Sequence, residues 1–304
     1  MEEEDLGYDP LVSIIVPTRN RAEVLARSLP GFLDQDLPEG ICEVIVADDG
    51  GDGDGAAIVA KALERPGLRF FRIPVNVGRA AARNAAISLA RGKILIFTDD
   101  DCFVGPGFAR AHLFAHQTSG GRGFMVTGPI VTSPAVPEAA FRPGLFAGWH
   151  RNPFPTCNAS VLRDDLLAAG GFSEDFSLYG WEDAELACRL RARGLCRRFA
   201  RNAWAVHFKP PEILENLLLR LSLERERGRM GAVFYRLRPT PAVAWLTKTS
   251  RPVAALDAAL DRLFRLEDLT RRVESGALPP ERLSPLLFRL ILFHAEVSAA
   301  RAAL

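Results

Sequence analysis

Short apolar strands alternate with helices through residues 11–98, and each strand ends in polar side chains. Residues 11–16 (Leu-Val-Ser-Ile-Ile-Val) read as a buried strand that stops at Pro17-Thr18-Arg19-Asn20. Helical spacing follows over 22–33. A second apolar strand over 43–47 ends at Asp48-Asp49-Gly50, and a helix over 56–64 leads to a strand over 68–73. Asn76-Val77-Gly78 opens an Ala-rich helix over 79–90, and the strand 93–98 ends at Asp99, Asp100 and Asp101. Strand, helix and strand joined by short turns predict βαβ units and a parallel sheet. Ligands bind outside the carboxyl ends of such strands, where the polar residues gather in this chain.

Beyond residue 101 the pattern loosens. A strand is predicted over 124–131, and a loop rich in proline and glycine over 134–155. A strand over 158–162, a short helix over 164–169 and a helix over 182–192 follow, the last with Glu185 and Arg189 spaced for an i,i+4 pair. Residues 196–207 read as one further strand. After Pro210-Pro211 the strand signal ends, and 212–227, 251–272 and 280–303 carry Leu/Ala/Arg-rich helical periodicity. The expected organisation is an α/β domain over 1–210 and an α-helical appendage over 211–304.

A net charge of +1 argues against a nucleic-acid partner. The five cysteines are odd in number and form no Cys-x-x-Cys, which predicts reduced thiols and a cytoplasmic protein. The acidic start, Met1 to Asp5, predicts no signal peptide. The most apolar stretch, 286–297, is interrupted by Arg289, His294 and Glu296, so no membrane span is expected.

Several residues could carry chemistry, each with a plainer structural alternative. Asp99 and Asp101 could hold a hard divalent cation through oxygen, or could be a solvated turn. Asp48 and Asp49 could accept hydrogen bonds from a base or ribose, or form an Asx turn. Asn76-Val77-Gly78 opens a helix whose N-terminus could take a phosphate, with Arg79 and Arg83 on one face. Glu182 and Asp183 start a helix and could cap it, or one could remove a proton from an acceptor hydroxyl. His207 could be a metal ligand or a structural histidine.

Taken in order, Val12 to Asn20, Val44 to Gly50, Asn76-Val77-Gly78 with Ala82-Arg83-Asn84, Ile96 to Asp101, Gly170-Gly171-Phe172, and Gly180 to Leu186 with Arg189-Leu190 form one set. Over roughly residues 11–209 this set resembles the inverting nucleotide-sugar transferases of glycosyltransferase family 2. The resemblance implies the GT-A fold, a Rossmann-like and mostly parallel sheet flanked by helices. It also implies a nucleoside-diphosphate sugar donor (a UDP-sugar favoured), an acceptor hydroxyl on a glycan, a lipid-linked sugar or a small molecule, and Mn2+ or Mg2+ as cofactor. Pro17, Thr18, Asn20 and Asp49 would surround base and ribose, and Asn76, Gly78 and Arg83 would flank the donor. Asp99, Asp100 and Asp101 would form the DXD motif, with Asp101, Asp99 and His207 on the metal and the motif's register open by one residue. Asp183 would be the general base, with Glu182 beside it. Trp149 and His150 are expected to stack on a sugar or to lie in a plain surface loop.

The chain lacks the Gln-x-x-Arg-Trp signature of polymer synthases, which argues against processive polymer export. Two rival readings are a sugar nucleotidyltransferase and a non-catalytic GT-A-like scaffold. The first expects a glycine-rich basic loop where Pro17-Thr18-Arg19-Asn20 stands. For the helical tail the expectation is packing on the domain. Its alternatives are a homodimer interface and a peripheral contact at the inner face of the membrane.

Overall fold

The computed structural model describes residues 10–117, 123–136, 152–209, 214–279 and 282–304. The described residues of 1–174 and 183–210 form one unit, and those of 175–182 and 211–304 form another.

In the first unit, β1 (Val12–Thr18), α1 (Ala22–Leu33), β2 (Cys42–Asp49), α2 (Gly55–Ala62), β3 (Leu68–Ile73), α3 (Arg79–Leu89) and β4 (Ile94–Phe97) follow one another. Then come β5 (Cys102–Val104), α4 (Phe108–Gln117), β6 (Phe124–Thr127), β7 (Ile130–Ser133), β8 (Ala159–Leu162), α5 (Arg163–Ala168), α6 (Glu182–Ala192), β9 (Cys196–Phe199) and β10 (Ala205–Phe208). The main sheet has seven strands in the order β3-β2-β1-β4-β8-β6-β9. The first four are parallel, β8 runs antiparallel to both its neighbours, and β9 is parallel to β6. The chain moves outward from β1 through β2 to β3, then returns to place β4 on the other side of β1. That reversal is a topological switch point, where a crevice opens at the carboxyl ends of β1 and β4.

Period-two alternation sorts the strand residues onto two faces. Val12, Ile14 and Val16 of β1, with Val44, Val46, Ile94 and Ile96, pack against Leu25, Leu29 and Phe32 of α1 and Phe108 of α4. Ile15, Ile45, Ala47, Leu95 and Phe97 pack on the opposite face with Ala80 and Ile87 of α3 and Leu186 and Leu190 of α6. Pro17, read as a strand end, lies inside β1. It is tolerated because pairing with β4 stops at Ile15, opposite Phe97.

Two predicted strands are each split. Residues 124–131 become β6 and β7, and 196–207 become β9 and β10. In both cases one half joins the main sheet and the other a three-stranded sheet, β5-β10-β7. The splitting happens at close backbone crossings. A Cβ on Gly128 would lie 1.7 Å from the Ala203 carbonyl oxygen and 2.8 Å from Asn158 Nδ2. Asn158 bridges the crossing, donating to Pro129 O at 3.0 Å and Ala203 O at 2.7 Å. Its Oδ1 lies 3.0 Å from Nε2 of the fully buried His112.

The helical unit contains α7 (Leu214–Leu237), α8 (Pro241–Leu246), α9 (Arg251–Phe264), α10 (Leu266–Glu274) and α11 (Pro285–Ala302). The predicted helix over 212–227 continues to Leu237, and the one over 251–272 breaks at Arg265, whose φ is 52°. A Cβ on Gly228 of α7 would meet the Glu296 carbonyl oxygen of α11 at 2.2 Å, so the two helices touch at a glycine. His294 ties three helices together, reaching Asp257 at 3.0 Å and Glu267 at 3.2 Å. Trp181 belongs to this unit. Its indole donates to Arg227 O at 2.9 Å, and the Arg227 guanidinium lies 4.7 Å over its ring. Among the described residues no helix is long and apolar enough to cross a membrane.

Gly128→Ala is expected to destabilise the protein by about 1–3 kcal/mol through overpacking against backbone. Gly107→Ala, which would face only the far end of Arg110 at 3.7 Å, is expected to be near neutral. Urea unfolding of the two variants checks this; equal stability would contradict it.

Candidate active site

Three adjacent aspartates follow β4, and the structure gives each a different surrounding. Asp99 pairs with Arg83 at 2.9 Å. Arg83 is itself buried, at 1% exposure, so its guanidinium serves the acid turn directly. Asp100 turns inward. Its Oδ2 accepts from Thr18 Oγ1 at 2.7 Å, its Oδ1 pairs with Arg21 at 2.8 Å, and its carbonyl accepts from Ser28 Oγ at 2.6 Å. The Thr18–Asp100 bond therefore spans the switch point between β1 and the end of β4. Asp101 pairs with Arg21 through Oδ2 at 2.9 Å, while Oδ1 lies 3.2 Å from His207 Nε2.

His207 reaches this turn through strand pairing. β10 runs antiparallel to β5 with His207 opposite Cys102, the residue after Asp101. The Phe208 N–H donates to the Asp101 carbonyl at 2.8 Å and locks the register. Asp99, Asp101 and His207 each offer a ligand atom, and these atoms lie within 4.8 Å of one another.

The charges follow from this geometry. Burial pushes the Asp100 carboxyl up to about 7, with Arg21 and Thr18 opposing and Asp101 and Asp99 adding repulsion. Burial would also raise Asp101, but the His207 imidazolium and Arg21 outweigh it and hold that carboxyl below its ordinary value. Burial opposes charge on His207, yet Asp101 and the Cys157 thiol raise its pKa well above that of free imidazole. The His207 contact is an ion pair rather than an aligned hydrogen bond, which leaves Asp101 Oδ1 buried without a hydrogen-bond partner among the described residues. A buried carboxylate oxygen facing a second carboxylate and a histidine fits a divalent cation, provided that His207 gives up its proton when the cation binds.

Asp49, at the end of β2, accepts from the Val77 and Gly78 N–H groups at 2.8 and 3.1 Å. It thereby fixes the turn that opens α3, while the Asn76 side chain also accepts from Gly78 N at 3.1 Å. Asn20 adopts φ 54° and exchanges hydrogen bonds with Asp52. Pro17, Thr18, Asn20, Asp49, Asn76 and Gly78 thus sit on the carboxyl-end turns of β1 and β2 and the entry to α3.

Glu182 and Asp183 open α6. Glu182 is buried, and Asp183 Oδ1 accepts from the Ala184 N–H at 2.7 Å. Asp183 Oδ2 accepts from Asn152 Nδ2. The expected pair Glu185–Arg189 is present at 2.8 Å. Trp149 and His150 lie outside the described residues.

Sequence reasoning missed two residues of this site. Arg21 stands one position beyond the Asn20 turn, where charge at a helix start was the available signal. Asn152 sits in a segment without periodicity and had none.

The sequence model described as glycosyl transferase family 2 matches residues 13–160. Over that stretch, just under half of its length, the chain is similar to glycosyltransferase family 2. It is 28% identical over 235 residues to validoxylamine A glucosyltransferase of Streptomyces hygroscopicus subsp. jinggangensis, covering 66% of this chain and 56% of that protein. The chain thus spans little more than half the length of that relative. Among solved structures, it is similar to the mannosyltransferase PcManGT from Pyrobaculum calidifontis in complex with GDP-Man and Mn2+. That match has a TM-score of 0.61 at 20% identity and covers 98% of this chain and 88% of the other. It is also similar to S. aureus TarS 1-349 in complex with UDP-GlcNAc, with a TM-score of 0.53 at 18% identity and coverage of 96% and 90%. The fold is GT-A, with helices following the sheet domain.

Arg21→Ala leaves buried Asp100 without its cation. The Asp101–Arg21 pair is lost at both pH 5 and pH 8, but the Asp100 contribution is expected to be small at pH 5, where Asp100 is protonated, and to add about 1–3 kcal/mol at pH 8, where it must ionise unpaired or stay protonated at a cost. Unfolding measured at both pH values checks this; a penalty larger at pH 5 would contradict it.

Proposed function

We propose that this chain transfers a sugar from a nucleoside-diphosphate sugar to an acceptor hydroxyl with inversion at the anomeric carbon. The observation that carries the reading is the convergence of Asp99, Asp101 and His207 at the carboxyl end of β4, beside the switch point. Catalysis is assigned to residues 1–210, with 211–304 as a helical extension. Five free cysteines support a reducing, cytoplasmic setting.

Asp99, Asp101 and His207 would hold a divalent cation, Mn2+ or Mg2+. Bound there, the cation would offset negative charge on the departing diphosphate. The similar PcManGT and TarS structures, with GDP-Man and UDP-GlcNAc, support a nucleotide-sugar donor; a UDP-sugar is the reading preferred here. Asp49 and Asn76 accept from the Val77 and Gly78 N–H groups and so set the α3 entry, which would flank the donor. Arg83 pairs with Asp99 and orients it, and Thr18 and Arg21 restrain Asp100, so Asp99 and Asp101 take the ligand roles in the acid turn.

Asp183 acts as the general base. The acceptor oxygen forms a bond to the anomeric carbon as the bond to the diphosphate oxygen breaks, and the hydroxyl proton passes to the Asp183 carboxylate. Attack on the face opposite the leaving group inverts configuration.

Asp183→Asn is expected to lower kcat by roughly 10²–10⁴ while leaving donor affinity within about threefold. A panel of nucleotide sugars with Mn2+ or Mg2+ and candidate acceptors, assayed for released nucleoside diphosphate, finds the donor and then measures the variant. Release of pyrophosphate from a sugar phosphate and nucleoside triphosphate would support nucleotidyl transfer instead, and no turnover on any donor would favour a scaffold.

A further inference from the structure

Asp183 is held by a neighbour that comes from outside its own helix. Its Oδ1 accepts from the Ala184 N–H at 2.7 Å, the usual fate of a carboxylate in the first turn of a helix. Its Oδ2 accepts from the side-chain amide of Asn152. The direction of that amide is settled by a second bond. Asn152 Oδ1 accepts from the Phe154 N–H at 3.0 Å, so the oxygen end is committed to backbone and the Nδ2 end must face Asp183.

The turn carrying Asn152 is anchored in the core. Phe154 is fully buried, and its ring meets that of Phe97 edge-on, with centroids 5.8 Å apart. Phe97 is the last residue of β4, two positions before Asp99. Phe172 packs on the other side of Phe97 at 5.3 Å, also edge-on. A continuous path of packed groups therefore runs from the acid turn through Phe97 and Phe154 to Asn152 and so to Asp183.

A carboxylate oxygen has two lone pairs. The Asn152 bond to Oδ2 and the Ala184 N–H bond to Oδ1 together fix the plane of the Asp183 carboxylate, and with it the direction from which a proton can arrive. An N–H donor also favours the ionised carboxylate, the form a base needs. We infer that Asn152 is a positioning residue for Asp183, fixing the carboxylate in the orientation that receives the acceptor's proton. This rests on Asp183 being the base.

The charged neighbours of Asp183 on α6 are Glu182 and, one turn on, Glu185 paired with Arg189. The group presented by the Asn152 turn is neutral. Replacing it by a carboxylate introduces repulsion at the base itself.

Two variants test the inference. Asn152→Ala removes the donor, and kcat is expected to fall about tenfold or more while the donor KM stays within about threefold. Asn152→Asp keeps the shape and is expected to move the acid limb of the kcat/KM profile upward by about one pH unit, through like charge. In an Asp183→Asn background, Asn152→Ala is expected to cost little further activity, because both changes act on one group. Circular dichroism confirms folding, and Asn152→Asp decides the matter should Asn152→Ala not fold. Loss of turnover in Asp183→Asn, with an unmoved acid limb in Asn152→Asp, would overturn the role of Asn152 and leave the base in place. Retained turnover in Asp183→Asn would overturn the base assignment and this inference with it.

Discussion

Three neighbouring carboxylates cannot share one low-dielectric turn unless each is answered by its own partner. Here Asp99 meets Arg83, Asp100 meets Thr18 and Arg21, and Asp101 meets Arg21 and His207. These partners come from α3, from the end of β1 with the turn after it, and from β10. Placing those three elements around the end of β4 is therefore the electrostatic condition for the turn to exist. The same arrangement separates the acids by role, with Asp100 restrained inward and Asp99 and Asp101 facing His207.

The sheet order supplies that placement. Winding from β1 out to β3 and back to β4 leaves the ends of β1 and β4 adjacent, and one hydrogen bond, Thr18 to Asp100, crosses the gap. The small second sheet does the rest, since pairing of β10 with β5 is what brings His207 to Asp101. Phe97 supports the turn from beneath, with Phe154 and Phe172 set edge-on against it. Tight packing of this kind resists displacement of the atoms it carries.

Much of this was legible in the residues themselves. The strands and helices from 11 to 98 agree with the pattern within about two residues, because apolar period and turn chemistry point the same way there. The halves of 124–131 and 196–207 could not be separated, since the choice of sheet depends on distant partners and the apolar runs continue across the turn. β5 is only three residues long, and α4 turns His112 and His116 inward toward Ser160, which hides its apolar face. Gly228 and Gly231 look like helix breaks in α7, yet they mark the close approach of α11 and of Trp181. At the site, the acids and His207 carried a motif signal. Arg21 and Asn152 acquire meaning only through what the fold sets beside them.

Everything proposed for this chain turns on Asp99, Asp101 and His207 holding one cation that serves the reaction. A crystal grown with Mn2+ and a nucleoside diphosphate, with anomalous scattering recorded at the manganese edge, tests it most directly. The expected result is a peak about 2.0–2.6 Å from oxygens of Asp99 and Asp101 and from a ring nitrogen of His207, with His207 released from Asp101 Oδ1. A peak elsewhere, or nucleotide bound with the His207–Asp101 ion pair still intact, would contradict it.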